Sequence, residues 1–269
     1  MQPMVEFALR ALRGAQENFF RIRDRIDIAR EDRLIDNLLE ETARYCEQDI
    51  ARQFARGYPQ HGISGRYIPS RKGEKDGKDY EWRIDLLHGY DNLAAGSTAW
   101  AMSMVCLYQG RPEHAVVIAP FTDNEYIASR GRGVQFNQRR VRAPSVTALA
   151  GTRIALGLPE RWMRTKLQDT YLQLVGALAS EVDVMRASGC SLLDLLELAT
   201  GQVHAAFALG LDEHDFQVAS LMLKECGALL AQPNGSPQTG PQQPLMASGQ
   251  RLFKPLVQRV APALKPLSE

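Results

Sequence analysis

The stretch WRIDLLHGYDN, residues 82–92, passes from a short apolar segment into a group of polar side chains. Its first residues, WRI, are typical of a buried strand, and Asp85, His88, Asp91 and Asn92 follow. A strand of this kind delivers polar groups to a pocket at its end. The stretch therefore predicts the edge of a sheet with a working metal site or with the remnant of one.

Two helices are predicted before this stretch. Residues 3–29 and 34–56 carry apolar side chains at helical spacing, and a Gly-Tyr-Pro sequence ends the second helix. A short strand is predicted at residues 61–64. After the stretch come the apolar runs 100–110, 114–120 and 125–131, which predict a meander of antiparallel strands.

Beyond Pro144 the pattern changes to alternating strands and helices, which is typical of an α/β arrangement. We therefore divide the chain into an α+β half, residues 1–145, and a smaller α/β half, residues 146–269, within one compact structural unit. The second half contains predicted strands at 152–157, 182–188 and 204–210, predicted helices at 166–180, 191–200 and 215–226, a Pro- and Gln-rich loop at 232–244 and a closing helix.

The overall charge is balanced, with 32 Lys and Arg against 31 Asp and Glu. This excludes a strong general attraction to nucleic acid or to an anionic membrane. One local cluster of arginines remains, for which a solvated loop and a contact patch are the two interpretations. The cluster consists of Arg130, Arg132, Arg139, Arg140 and Arg142.

No apolar run approaches the roughly 20 residues of a membrane-spanning helix. The first thirty residues also lack the uncharged central block of a secretory signal. We therefore expect a cytoplasmic protein that makes no membrane contact.

Cys46, Cys106, Cys190 and Cys226 are far apart in apolar segments, and no CxxC pair occurs. This pattern predicts buried free thiols. Cys190 lies in an SGCS sequence near a turn, so a reactive thiol is the alternative at that position.

Two acidic residues of the second half are predicted to serve the backbone. Asp215 lies in the first turn of the helix that HDFQVASLMLKECG begins, where its side chain can cap N–H groups. Asp194, inside the helix at 191–200, is expected to bond a neighbouring backbone group or an arginine.

Five motifs follow one another along the chain: IDxxxG, DN, ASRGRG, SGCSLLDLLELATGQVHAAFALG and HDFQVASLMLKECGA. Motifs in this order resemble the inositol monophosphatase family of magnesium-dependent phosphomonoesterases, most closely its bacterial extragenic-suppressor members. The resemblance covers nearly the whole chain and fades only toward its C-terminus. It implies an α/β (α+β) fold, the layered αβαβα sandwich of this family, and it implies a homodimer.

The resemblance also implies the positions of the site. Metal would be held by Asp85, by the backbone carbonyl of Leu87 and by Asp215. The substrate-binding turn of the family corresponds to Gly189, Cys190 and Ser191, and Ala208 stands where the family has a glutamate that binds sugar hydroxyls.

Four further positions differ from the family's pattern. Ala43 replaces the aspartate of a TExD element, and Arg66 stands in ISGRY where the family has GEE. His88 replaces the second aspartate of DPIDGTTN, and Tyr90 replaces its first threonine. Magnesium requires several oxygen ligands, and a guanidinium that cannot lose its proton repels a dication.

We therefore expect no cofactor, or Mg²⁺ if activity is retained. The first function that the resemblance implies is that of a catalytically inactive protein, which binds the transcription elongation machinery and supports ribosomal RNA antitermination. The alternative is a metal-dependent phosphomonoesterase acting on inositol-1-phosphate or on a related sugar or nucleotide phosphate. A small phosphorylated ligand stays an open question.

Two hypotheses concern the remnant site itself. In the first, Arg66 replaces the metal ion by forming an ion pair with Asp85, with Asp215 or with both. In the second, Asp85, His88, His214 and Asp215 form a new site for a metal such as zinc.

Overall fold

The computed structural model describes residues 2–264 and divides into two compact units, Met1–Arg130 and Gly131–Glu269. This division falls earlier in the chain than the boundary that we predicted between residues 145 and 146. Each unit has a hydrophobic core of its own.

Unit 1 begins with the two predicted helices, α1 (Pro3–Glu31) and α2 (Ile35–Gly57). Both are amphipathic, and their buried apolar residues recur at the spacing that the sequence pattern indicated. Arg33, in the turn between them, has a φ of 60°. Within residues 2–264, no helix combines the length and the apolar character that crossing a membrane requires.

The sheet of unit 1 confirms the predicted meander. Its strands lie in the order β1, β2, β3, β4, β5, and all neighbours are antiparallel except β1 and β2, which are parallel. A short helix, α3, follows β2. The elements are β1 (Gly62–Ser64), β2 (Tyr80–His88), α3 (Tyr90–Ala94), β3 (Ala101–Tyr108), β4 (Arg111–Ala119) and β5 (Asn124–Ser129).

Large aromatic side chains form the centre of the core in unit 1. Trp82 of β2 packs on Phe54 of α2 with 5.3 Å between ring centroids, and Phe19 of α1 packs on Trp100 at 5.0 Å. All four are buried. Burying one such side chain contributes roughly 1.5–3 kcal/mol, so these pairs hold the helices on the sheet.

Unit 2 begins with a hairpin of two strands and continues with the predicted alternation of strands and helices. Its main sheet has the order β11, β12, β10, β8, β9, in which β10 is parallel to β8 and antiparallel to β12. The elements are β6 (Gly133–Phe136), β7 (Arg139–Val141), β8 (Arg153–Leu156), α4 (Arg164–Leu178), β9 (Val184–Arg186), α5 (Ser191–Thr200), β10 (Ala205–Leu209), α6 (Glu213–Glu225), β11 (Leu229–Ala231), β12 (Pro244–Ser248) and α7 (Gln250–Val260).

All four cysteines are buried free thiols, as predicted. Burial raises the pKa of Cys46 to about 12 and that of Cys226 to about 11. It also raises the pKa of the Cys106 and Cys190 thiols. A raised pKa keeps the thiolate fraction small, so Cys190 has the properties of a core residue and lacks those of a nucleophile.

Candidate functional site

The polar stretch after β2 is shaped by an irregular backbone. The register between β2 and β3 shifts between Asp85 and His88, and Gly89 has a φ of 75° just before α3. Only glycine adopts that conformation at little cost. The Oδ1 atom of Asp85 accepts the N–H of Leu87 at 2.9 Å, so this carboxylate stabilises the turn that carries it.

His88 points into the core of unit 1. It is 5% exposed, and its Nε2 atom lies 2.8 Å from the hydroxyl of Ser103 on β3. The imidazole therefore has a structural hydrogen bond at the position where the family carries its second aspartate.

Tyr90, in the first turn of α3, donates its hydroxyl hydrogen to Oδ1 of Asp36 in α2. Burial and this hydrogen bond both raise the pKa of Tyr90. The phenol therefore stays protonated and joins α3 to the start of α2.

Glu47 is the residue of this region that the sequence interpretation missed. Its side chain is completely buried in α2, one turn after Ala43, and it accepts the backbone N–H groups of Arg66 at 3.2 Å and Tyr67 at 2.7 Å. Burial raises its pKa to about 7, although the two N–H donors oppose this, and the negative charge of Asp85 adds to the rise. An acidic residue on the apolar face of a predicted helix was the signal that could have revealed it.

The structure corrects the hypothesis that Arg66 replaces a metal ion beside Asp85. The Arg66 side chain is exposed, and within residues 2–264 no ion pair joins it to Asp85. The residue acts through its backbone, whose N–H group Glu47 binds. The Glu47 carboxylate of α2 therefore holds the loop after β1 in place.

The described residues 2–264 contain no group of three or more His, Cys, Asp or Glu side chains that could hold a metal ion. The four residues of the zinc hypothesis therefore do not form such a group. Asp85 and Leu87, two of the positions that the resemblance assigned to metal, lie together in unit 1 through their own hydrogen bond.

The predicted substrate-binding turn lies at the start of α5 in unit 2. Gly189 has a φ of 83°, Cys190 is buried, and Ser191 is the first residue of the helix. The Ser191 hydroxyl donates to Oε1 of Glu160 at 2.6 Å. The sequence interpretation did not anticipate Glu160, because it lies in the loop after β8 and no spacing connects it with the turn.

Asp194 fixes this turn as predicted. Its two carboxylate oxygens accept the backbone N–H of Ser188 at 3.1 and 3.2 Å, and the hydroxyl of Ser188 accepts the N–H of Cys190 at 3.1 Å. Burial raises the pKa of Asp194, while the bonds from Ser188 oppose the rise.

The start of α6 requires a second correction. Asp212 is the N-terminal cap, and its side chain accepts the backbone N–H of Asp215 at 2.7 Å. The predicted cap, Asp215, instead donates its own N–H group to Asp212. The negative charge of Asp215 acts on the thiol of Cys190, so these two predicted positions are neighbours in unit 2. Ala208 is buried in β10 and offers no polar group.

The sequence matches the inositol monophosphatase family over residues 1–264. A Pseudomonas aeruginosa protein named Nus factor SuhB is 35% identical over 267 residues, which cover 99% of this chain and 98% of that protein. The Nus factor SuhB of Escherichia coli K12 is 31% identical over 238 residues, which cover 87% of each chain.

Solved structures show the same fold. The extragenic suppressor protein suhB from Bartonella henselae superposes with a TM-score of 0.80 at 22% identity and covers 96% of this chain and 99% of its own. The inositol monophosphatase from Anabaena gives 0.80 at 20% identity, with 98% and 97% covered. These likenesses confirm the predicted α/β (α+β) sandwich, and with the sequence match they show that the chain belongs to the inositol monophosphatase family.

Proposed function

We propose that this protein is a catalytically inactive member of its family that acts in the cytoplasm as a Nus factor, by binding the transcription elongation machinery. The observation that carries this proposal is the 35% identity to a Nus factor SuhB over almost the full length of both chains. Function by surface contact needs the fold to be intact and does not need a metal centre. Support of ribosomal RNA antitermination is the role that the resemblance implies.

The donor set of unit 1 does not fit a magnesium ion. Magnesium takes near-octahedral oxygen ligands, and it usually keeps several waters while one or two carboxylates bind it directly. Here Glu47 is occupied by two backbone N–H groups, and Asp85 uses one oxygen for the Leu87 N–H. The side chains of Ala43 and His88 supply no oxygen, and Arg66 adds a positive charge close enough to act on Glu47. We therefore derive no reaction step through a metal.

The substrate side of unit 2 supports the same proposal. Glu160 places a carboxylate against Ser191, in the turn that the resemblance assigns to substrate. The Ser191 hydroxyl is thereby engaged within the protein, at the place where the family binds its substrate. Ala208 also lacks the carboxylate with which the family binds sugar hydroxyls.

We also propose a homodimer, following the resemblance. Unit 2 exposes two large apolar side chains in the loop after β8, Leu158 at 56% and Trp162 at 59%. A contiguous exposed apolar surface marks a contact site, and these two side chains are its candidates in this unit. Sedimentation equilibrium of the purified protein tests the proposal, and a monomer at micromolar concentration would refute it.

The function is tested by transcription in vitro. The protein is added to elongation complexes on a template with a ribosomal RNA leader and a downstream terminator, and we expect increased readthrough. In parallel, phosphate release is measured with Mg²⁺ or Mn²⁺ from inositol-1-phosphate and nucleotide monophosphates, and we expect none. Turnover without any effect on readthrough would establish the phosphomonoesterase alternative.

A further inference from the structure

A groove in unit 2 is lined by three exposed arginines. It has a volume of about 420 Å³ and lies between the end of α6 and the start of α7. Arg140 and Arg142 line it from β7 and the residue after that strand, and Arg251 lines it from the first turn of α7. All three side chains are exposed, and within residues 2–264 none of them forms an ion pair.

The local structure explains why two of these arginines share the groove. Arg140 lies in β7 and Arg142 follows the strand directly, two positions further on, a spacing that suits side chains on one face of an extended segment. β7 pairs with β6, and the Ala143 N–H donates to the Cys226 carbonyl at the end of α6 at 2.9 Å. The two side chains therefore project from an anchored segment.

Among the residues that line the groove, Glu225 is the single acidic one. Its carboxylate is already engaged, because Oε1 accepts the Gly131 N–H at 2.7 Å and Oε2 accepts the Gly133 N–H at 2.8 Å. Glu225 thus orders the loop before β6 and forms no ion pair with an arginine of the groove. Three permanent positive charges outweigh its single negative charge.

The start of α7 adds to the same electrostatic field. Its N-terminal cap is Gly249, which supplies no side-chain hydrogen bond to the first N–H groups of the helix. The carbonyl of Pro144 lies so close to Gly249 that a Cβ atom there would collide with it. Gln250 and Arg251, the first residues of the helix, both line the groove. Free N–H groups at a helix start favour an anion.

We propose that this arginine groove, formed by Arg140, Arg142, Arg251 and the start of α7, binds the phosphodiester backbone of single-stranded RNA. Guanidinium groups match phosphate through paired hydrogen bonds. Among the described residues that line the groove there is no aromatic side chain on which a base could stack, so we expect binding that does not depend on base sequence. The choice of RNA rests on the proposed function, because the transcript is the nucleic acid that an elongation complex presents.

The experiment measures fluorescence anisotropy of a labelled oligouridine of about 12 nucleotides, within the range of single-strand site sizes. Wild-type protein and the triple variant Arg140→Gln, Arg142→Gln, Arg251→Gln are compared between about 50 and 200 mM salt. We expect the triple variant to lose affinity about tenfold or more. The slope of log affinity against log salt should fall by about 2, since each released phosphate contact contributes about 0.7.

The matched control removes three exposed arginines of unit 1 in the variant Arg21→Gln, Arg33→Gln, Arg56→Gln. The net charge changes equally, and we expect wild-type affinity. Equal loss in both triple variants, or no RNA binding by the wild type, overturns the proposal. A polyglutamate peptide that binds the groove while RNA does not would identify an acidic protein segment as the partner and overturn it too.

Thermal melting of each variant shows whether a loss of RNA binding comes from a loss of folding. The single variant Arg251→Glu should weaken RNA binding more than Arg251→Gln does, because it reverses the charge. The readthrough assay keeps the two proposals apart. Wild-type protein that supports antitermination without binding RNA overturns the groove proposal alone. Protein that binds RNA through the groove without any readthrough supports the groove and overturns the proposed function alone.

Discussion

Glu47 holds the loop after β1 through two backbone N–H groups while its carboxylate is completely buried. An ionised carboxylate in such a place is stabilised by its donors and destabilised by the loss of water. The second effect is larger here, since the pKa is raised to about 7. One residue therefore links the conformation of the loop to pH.

The first prediction concerns that link. Between pH about 4.5 and 7, folded protein keeps a proton on Glu47 that the unfolded chain releases. The free energy of unfolding therefore falls as pH rises through this interval, by at most ~1.4 kcal/mol per pH unit from this group. Glu197, whose pKa burial also raises to about 7, adds a slope of the same sign. Urea unfolding at several pH values measures the total.

The variant Glu47→Gln measures how much Glu47 contributes to the pH dependence of the free energy of unfolding. We expect a flatter decline, because the amide does not titrate and only the contributions of other groups with shifted pKa values, such as Glu197 and Asp194, remain. The variant Glu41→Gln, which changes an exposed residue of the same helix, should keep the wild-type slope. Parallel curves for wild type and Glu47→Gln would show that Glu47 does not titrate in this range.

Gly65 carries the second prediction. A Cβ atom at this position would lie 2.5 Å from Oε2 and 2.9 Å from Cδ of Glu47. The variant Gly65→Ala must therefore displace the buried carboxylate, and we expect it to lower the free energy of unfolding by about 1–3 kcal/mol. Urea unfolding measures this cost, and an unchanged midpoint would contradict the contact between loop and helix.

Single residues were predicted from sequence only where the chemistry is local. Asp194 was found because a short polar side chain inside an apolar helix needs a nearby partner. Glu47 and Glu160 were missed because their partners lie in other segments, and spacing along the chain carries no information on such contacts. The cap of α6 was predicted at Asp215 because the helix was expected to begin there, whereas it begins two residues earlier, at Glu213, with Asp212 as its cap.

The start of α6 gives the third prediction, at the scale of an element. Removing a capping carboxylate leaves N–H groups of the first turn without an acceptor. Asp212→Ala should therefore lower the free energy of unfolding by about 0.5–2 kcal/mol. The neighbouring exposed residue gives the control, Glu213→Ala, for which we expect a smaller loss. Equal losses in thermal melts would argue against Asp212 as the cap.

The fourth prediction uses two helical glycines with free space around them. A Cβ atom added at Gly14 in α1 or at Gly176 in α4 would meet no atom within 4 Å. Glycine in a helix interior costs about 0.5–1 kcal/mol relative to alanine. We therefore expect Gly14→Ala and Gly176→Ala each to raise the melting temperature in calorimetry. A lowered melting temperature in either variant would contradict the helix at that position.

Elements with a long hydrophobic period were predicted closely. α1 and α2 were recognised because apolar residues recur over several turns, and α5 was found at its observed bounds. The strands β11 and β12 were missed because they flank the Pro- and Gln-rich segment, whose composition is typical of a loop. Short strands gain their stability from neighbours in the sheet, which local sequence does not show.

The fifth prediction belongs to the whole molecule, because it tests the proposed loss of metal binding. A ligand that binds only the folded state raises its stability by RT ln(1 + [L]/Kd). We expect about 10 mM Mg²⁺ to leave the wild-type melting temperature unchanged. The variant Ala43→Asp, Arg66→Glu, His88→Asp restores family carboxylates and should gain a Mg²⁺-dependent shift. Calcium serves as the comparison ion, and a clear magnesium shift in the wild type would contradict the proposal.

The architecture of the whole molecule was predicted from the order of motifs rather than from periodicity. Alternating strands and helices indicated an α/β second half, which fits several folds. The resemblance selected one of them, and the solved relatives confirm it. The parallel pairing of β1 with β2 was not predicted, because the local sequence of a strand does not show with which distant strand it pairs.

Because its four cysteines are buried, the folded protein should be unreactive toward thiol reagents. Maleimide dyes react with exposed thiolates, so the folded wild type should take up almost no label. A single cysteine introduced on the surface could then carry a fluorophore or a spin probe without removal of any native thiol. Distances between such probes would report directly on the arrangement of the two units in solution.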